Sequence, residues 1–453
     1  PTVNSQIENR TSSTKIKGNV IIDNYGIVKV ACGETHSLIL LNNRKILGLG
    51  QKKYLGINNS STTGSYLPID IDKTAIDISC GQYHSLYLTD TGIVYAFGDN
   101  TYGQLGDSST TQRLSPVTVN NTAGYNGSNA MTISTGQDHS MILLNTGKVL
   151  SFGRNLNGEL GDGTTTQKTS PVEVSTDSSN GNDYDGSNAI AISAGKQYSL
   201  ILLNTGKVVS FGNNSYGELG DGSNDSSNVP VAISTTGTGN DYNGSNAIAI
   251  SASLYYSSMI LLNTGKVLTF GNNTEGELGD GSTTNRNIPT PVSNTGGYDG
   301  TNAIGISAGY NMGGILLNYG RVLLFGRNSH GQLGDGTNIQ DNSIFNTKGK
   351  EIYIGDRVTI GHNVIIDGKC KIYNDAVIGM GSILEENCIV EKNAFVGANS
   401  YVKTNTIVPE GQIYAGNPAK FFRDVSQQEK EFFSLGQKIY EKLTLEYLKN
   451  VYD

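Results

Sequence analysis

Three histidines stand where chemistry would first be sought. His36, His84 and His139 each follow a glycine by three residues and open an apolar run, in "CGETHSLILL", "CGQYHSLYL" and "TGQDHSMILL". Imidazole is the commonest metal ligand and a ready general base. A residue that recurs at one place in successive repeats, however, is a structural part of each repeat, and no metal cluster is expected from it. Later copies are read as placing Tyr198 and Tyr256 there. Asp162, Asp221, Asp280 and Asp335, each in a Gly-Asp-Gly turn, suggest calcium, but turn formation is the expected role of Asp before Gly. Cys32, Cys80, Cys370 and Cys388 form no CxxC pair, which excludes a zinc knuckle and a redox motif. They read as a reduced, intracellular set.

The histidines belong to a repeat. "STGQDHSMILLNTGKVLSFGRNLNGELGDGT" from Ser134 returns as "SAGKQYSLILLNTGKVVSFGNNSYGELGDGS" from Ser193, and again from Ser251 and Ser307. Diverged copies start at Ala31 and Ser79, and the landmarks Gly33, Gly81, Gly136, Gly195, Ser253 and Gly309 recur every 48 to 59 residues. Each copy reads as strand, Asn-Thr-Gly hairpin, strand, then a Gly-rich turn. Polar inserts such as "YDGSNAI" separate the copies. A unit of this size cannot bury both faces alone, whereas blades packed around an axis can. The 58 glycines are about twice the usual share of ~7 %, as many tight turns require. The net charge of −8 and the lack of any Lys/Arg block argue against a nucleic-acid partner and leave a basic partner such as a histone tail open. No apolar run reaches the ~18 residues needed to span a bilayer.

"CGQYHSLYL" (80–88), "YAFGDNTYGQLG" (95–106) and "SPV" (170–172) resemble the regulator of chromosome condensation family of β-propellers over residues 20–336. That family closes seven blades. Here six copies are clear, and "NVIIDNYGIVKV" (19–30) is the candidate to complete one, so six or seven blades are expected. The resemblance implies a protein-binding platform. The family's nucleotide-exchange activity on a small GTPase is an alternative, but no segment matches the loop that performs it.

From Ile354 the period becomes six. Every sixth residue from Ile354 to Tyr414 is apolar, and the residue four further on is mostly small, as at Cys370, Ala376, Ser382, Cys388 and Ala394. A left-handed triangular β-helix requires this, with one branched aliphatic per face and a small inward neighbour. Cys370 and Cys388 then stack as interior thiols one coil apart. Ser426 with Glu429 makes a capping box for a final helix, whose Phe432, Leu435, Ile439, Leu443 and Tyr447 form one apolar stripe. The expected domains are an N-terminal segment (1–19), a propeller (20–336), a β-helix (337–423) and a C-terminal α-helix (424–453), in an all-β fold.

"NIQDNSI" (338–344), "YIGDRVTIGH" (353–362), "VIGMGS" (377–382) and "YAGNPAKFFRD" (414–424) resemble the γ-class carbonic anhydrases, especially the mitochondrial members of respiratory complex I. The resemblance implies a trimer with zinc held by three His, two from one subunit and one from its neighbour. The three ligand positions are here Asn346, His362 and Asp367, so one imidazole remains. Gln340 and Asp341 match active-site positions, but their partner Arg has no counterpart, and His330 belongs to the last propeller repeat. No cofactor and no tight zinc binding are therefore expected. The reading is a non-catalytic scaffold with protein partners, assembled as a homo- or hetero-trimer through the β-helix and meeting a membrane only through a larger complex. Its location is mitochondrial by resemblance and otherwise intracellular. An active zinc carbonic anhydrase and a GTPase exchange regulator are the alternatives.

Overall fold

The computed structural model of the 453-residue chain describes residues 27–61, 64–319, 322–327, 338–339, 344–346, 352–355, 358–361, 363–427 and 429. The chain divides into two compact units between Asn328 and Ser329, each with its own core.

The first unit contains six antiparallel sheets among the described residues, starting at Ile27, Asp77, Ala130, Ala189, Ala247 and Ala303. Five have four strands and the last has three. The first strands of successive sheets lie against one another, so the sheets stand radially as propeller blades. Of the segment 19–30, the part from Ile27 onward belongs to the first strand of the first sheet, Ile27–Cys32; residues 19–26 lie outside the described residues.

The second to fifth blades are each sandwiched between two others, and their sequences show this. The second strands His139–Leu144, Tyr198–Leu203 and Ser257–Leu262 are buried at all six positions, because both faces of a central strand meet a neighbouring blade. Between the second and third blades, Leu86, Leu88 and Val94 pack on Ile142, Leu144, Leu150 and Phe152. The sixth blade differs. Leu316, Val322 and Leu324 are 38 %, 58 % and 42 % exposed, whereas their counterparts in the third blade, Leu143, Val149 and Ser151, are fully buried.

The polar inserts carry a structural tyrosine. Tyr125, Tyr184, Tyr242 and Tyr298 are buried, and their hydroxyls accept the N–H groups of Val94, Val149, Val208 and Val267 at 2.7–2.8 Å. The Gly-Asp-Gly carboxylates are also structural. Asn155, Asn214 and Asn273, all buried, donate to Asp162, Asp221 and Asp280 at 3.1–3.2 Å and to carbonyls across the same turn. Asp335 lies outside the described residues.

The second unit is a parallel β-helix of three sheets, built from two- and three-residue strands up to Val408 and closed by the longer strands Gln412–Ala415 and Lys420–Asp424. Its interior is the apolar column Ile360, Ile366, Ile372, Ile378, Leu384, Val390, Val396, Val402 and Val408, all at 0 % exposure. Cys370 and Cys388 are buried free thiols, and each donates to a carbonyl of the next coil, Glu385 O at 3.0 Å and Lys403 O at 3.1 Å. Every sixth residue at the corners adopts positive φ: Asn363, Lys369, Asp375, Gly381, Asn387, Asn393, Asn399, Asn405 and Gly411. Asn, Asp and Gly tolerate that left-handed conformation best, which is why they dominate there. Strand Lys420–Asp424 then returns antiparallel against Gln412–Ala415. The expected capping box is present, with the Ser426 hydroxyl accepting from Glu429 N at 3.2 Å and the Glu429 carboxylate accepting from Ser426 N at 2.9 Å. Apart from Gln427 and Glu429, the helix beyond lies outside the described residues, as does its apolar stripe.

Phe152 is fully buried between blades, so Phe152→Ala should destabilise the propeller by about 3–5 kcal/mol. Phe422→Ala, at a position 66 % exposed, should change stability by no more than about 0.5 kcal/mol. Denaturant midpoints of the two variants check this, and equal losses would contradict the blade packing.

Candidate functional site

The propeller histidines form a seam from blade to blade. His36 Nε2 lies 2.7 Å from Ser85 Oγ, His84 Nε2 3.0 Å from Ser140 Oγ, and His139 Nε2 2.9 Å from Ser199 Oγ. Each serine belongs to the next blade. The Ser140 and Ser199 hydroxyls donate onward to Gln104 O at 2.8 Å and Glu159 O at 3.0 Å. A hydroxyl that donates there must accept from the ring, so His84 and His139 carry the proton on Nε2. Burial holds His36 down at about 4 and His84 and His139 at about 3. These rings are neutral at any physiological pH and are committed to the seam.

The same position explains the glycine three residues earlier. A Cβ at Gly81 or Gly136 would sit 2.2 Å from the ring of His84 or His139, and one at Gly195 would sit 2.3 Å from Tyr198. In the fourth blade Tyr198 continues the seam, its hydroxyl 3.1 Å from Ser258 Oγ. The fifth blade corrects the sequence reading. Strand register pairs Ser257, not Tyr256, with Gly271, as Tyr198 pairs with Gly212. One extra residue in that loop displaces the tyrosine, and Tyr256 takes a positive φ of 66°. With only a serine to accommodate, the glycine position holds Ser253, which hydrogen-bonds Ser257 Oγ at 3.0 Å.

The displaced Tyr256 joins a cluster on the loop face of the propeller. Tyr216 and Tyr256 lie 5.2 Å apart, Tyr255 and Tyr256 5.9 Å, and Tyr255 and Tyr310 4.7 Å. The Lys196 ammonium stands over Tyr255 at 4.8 Å and over Tyr256 at 4.5 Å, a cation–π arrangement. Tyr310 is 58 % exposed and Tyr216 38 %. Aromatic side chains that are part exposed and held by one another are the material of protein interfaces. Sequence reasoning missed this cluster, since the tyrosines come from three repeats and only the fold brings them together.

In the β-helix, the strands Ile344–Asn346 and Ile365–Asp367 pair in parallel, and Asn346 stands directly beside Asp367. Two of the three candidate ligand positions are thus neighbours on adjacent coils. His362, Gln340 and Asp341, like His330, lie outside the described residues. A catalytic zinc site uses three protein ligands and one water, and in the γ class those ligands are imidazoles. By the resemblance, the three positions carry one imidazole, an amide and a carboxylate, a poorer donor set for that ion than three imidazoles.

The architecture is a propeller followed by a hexapeptide β-helix, and the comparisons agree. The RCC1-like domain matches residues 4–254, more than half of the 453, and the regulator of chromosome condensation (RCC1) repeat matches 264–316. The chain belongs to the RCC1-like domain family. The propeller is similar in fold to Prp20p from Saccharomyces cerevisiae, with a TM-score of 0.53 and 19 % identity, covering 63 % of this chain and 67 % of that one. The second part is γ-carbonic-anhydrase-like. The chain is 48 % identical over 162 residues to γ carbonic anhydrase 3, mitochondrial, of Arabidopsis thaliana, which is 34 % of this chain and 62 % of the relative. It is 43 % identical over 134 residues to γ carbonic anhydrase 2, mitochondrial, of the same plant, which is 28 % of this chain and 48 % of the relative. The chain therefore spans 48 % and 62 % of the length of these two relatives.

Of the five histidines, the three of the seam should remain neutral, His84 and His139 as Nε2–H tautomers, in long-range proton–nitrogen spectra at pH 5.5. Imidazolium signals from His84 or His139 at that pH would contradict the seam.

Proposed function

We propose that this chain is a non-catalytic scaffold, with the propeller as a platform for protein partners and the β-helix as the module of assembly. The observation that carries the reading is the strand register that pairs Asn346 with Asp367, since the resemblance to γ carbonic anhydrases puts two of the three ligand positions at these residues. An amide is a weak zinc ligand, and a carboxylate adds charge that raises the pKa of a bound water. The seam supports the same reading in the propeller, because its imidazoles already hold the blades together and have no proton to exchange near neutral pH. The Prp20p structure was described with that protein's binding to Gsp1p and histones, which supports a protein-binding role for the related fold here. The β-helix assembles as a trimer, alone or with related subunits, in the manner of γ carbonic anhydrases. The relatives are named mitochondrial, which supports a mitochondrial location. In its finest form the reading makes this chain a subunit of respiratory complex I.

The purified chain should run as a trimer by light scattering, carry well under one zinc per chain, and hydrate carbon dioxide no faster than buffer. Asn346→His with Asp367→His should restore measurable zinc binding. Stoichiometric zinc in the unmodified chain, lost in His362→Ala, would overturn the non-catalytic reading, and a stable monomer at micromolar concentration would overturn the assembly.

A further inference from the structure

Four successive blades place a carboxylate or amide at one buried position: Gln104, Glu159, Glu218 and Glu277, each at most 1 % exposed. One oxygen of each accepts the backbone N–H two residues earlier, at 2.7–2.8 Å. The remaining atom is satisfied in three of the four. Gln104 donates to Asp99 at 2.7 Å, Glu159 accepts from Arg154 at 2.8 Å, and Glu277 accepts from Asn272. In the fourth blade the corresponding side chain is Asn213, and it turns away to Gln197 Oε1 at 3.3 Å. Glu218 Oε1 is left buried with no hydrogen-bond partner. A buried carboxylate oxygen without a partner costs several kcal/mol unless something supplies a donor.

The side chains around Glu218 show what would supply it. Its other oxygen holds the Tyr216 N–H, which places the carboxyl beside the tyrosine cluster, and burial pushes it up to about 7, so a donating cation would hold it ionised. The Tyr198 hydroxyl is committed to Ser257 O at 2.5 Å, and that of Tyr256 points to Gln197 Oε1 at 3.2 Å. Above them the faces of Tyr255 and Tyr256 already hold one cation, the ammonium of Lys196. Aromatic faces that accept a cation, with a buried carboxylate behind them, match a basic side chain in both charge and shape. The net charge of −8 favours the approach of such a partner.

We propose that the Tyr216, Tyr255, Tyr256 and Glu218 patch docks a basic segment of a partner protein, one arginine or lysine of which displaces Lys196 from the tyrosine faces and donates to Glu218 Oε1. This rests on the propeller being a platform and names the chemistry of what it takes. Lys196 is the built-in occupant that a partner must replace.

Fluorescence anisotropy of labelled homopeptides of arginine, lysine and glutamate with the full chain tests the site. The basic peptides should bind and the acidic one should not, and the arginine and lysine arms show which cation is preferred. Glu218→Gln and Tyr256→Ala should each weaken binding about tenfold. Lys196→Ala should tighten it, because the internal competitor is gone. Glu275→Gln, an exposed carboxylate of the same loops, should change it by less than about twofold. Thermal unfolding verifies that each variant is folded, and Tyr216→Ala, at a half-exposed position, carries the test should Glu218→Gln misfold. Equal weakening by Glu275→Gln and Glu218→Gln, or weaker binding by Lys196→Ala, would overturn the site. Failure of this site alone leaves the platform standing, because a partner bound elsewhere on the propeller is untouched by these variants.

Discussion

The propeller depends on one contact repeated through its first four blades: a ring at the start of the second strand reaching a serine of the next blade. Burying a polar group is unfavourable unless it finds its partner. Here the imidazole Nε2 donates to a hydroxyl that donates in turn to a backbone carbonyl, so that chain ends on an acceptor, while Nδ1 of each seam imidazole is buried without a hydrogen-bond partner. The Ser79, Ser134, Ser193 and Ser251 hydroxyls add a second seam nearer the axis; the last three each accept the N–H of Ala194, Ala252 or Ala308 at 2.9 Å. Apolar packing drives the blades together, and these bonds set their register. Since a ring occupies the space beside the preceding strand, glycine is required there, and the fifth blade shows the reverse case with serine at both places.

Much of this was legible in the sequence. The hexad pattern of aliphatic and small residues maps onto the β-helix interior with Ile366, Cys370, Ile372 and Ala376 all inward. The histidines read as structural because they recur in phase. What escaped has physical causes. A single inserted residue leaves no mark without a coordinate register, so Tyr256 was matched to Tyr198 in place of Ser257. The tyrosine of each "Y-x-G-S-N-A" insert sits among polar residues and reads as surface, yet its ring is buried and its hydroxyl serves a strand from the preceding hairpin. The corner residues of positive φ were visible as Asn, Asp and Gly at every sixth place, but their meaning is conformational and not hydrophobic.

The candidate site in the β-helix was legible only through resemblance. Along most of the helix paired residues are eighteen apart, as with Ile365 and Ile383, but Ile344 pairs with Ile365 across a coil three residues longer. Counting hexads therefore cannot bring Asn346 beside Asp367; the strand register does. The two halves illustrate opposite fates for imidazole. In the propeller it makes a buried hydrogen bond, while the resemblance puts Asn346 and Asp367 at two of the three β-helix positions where imidazole is expected.

The central claim is that the propeller histidines hold blades together and do nothing else. A double-mutant cycle with His84→Ala, Ser140→Ala and the double variant, read by denaturant unfolding, tests it most directly. A structural seam predicts a coupling of about 0.5–3 kcal/mol between the two sites, of the size expected for buried residues in contact. Additive losses, within about 0.3–0.5 kcal/mol, would show that the two side chains act independently and would contradict the account.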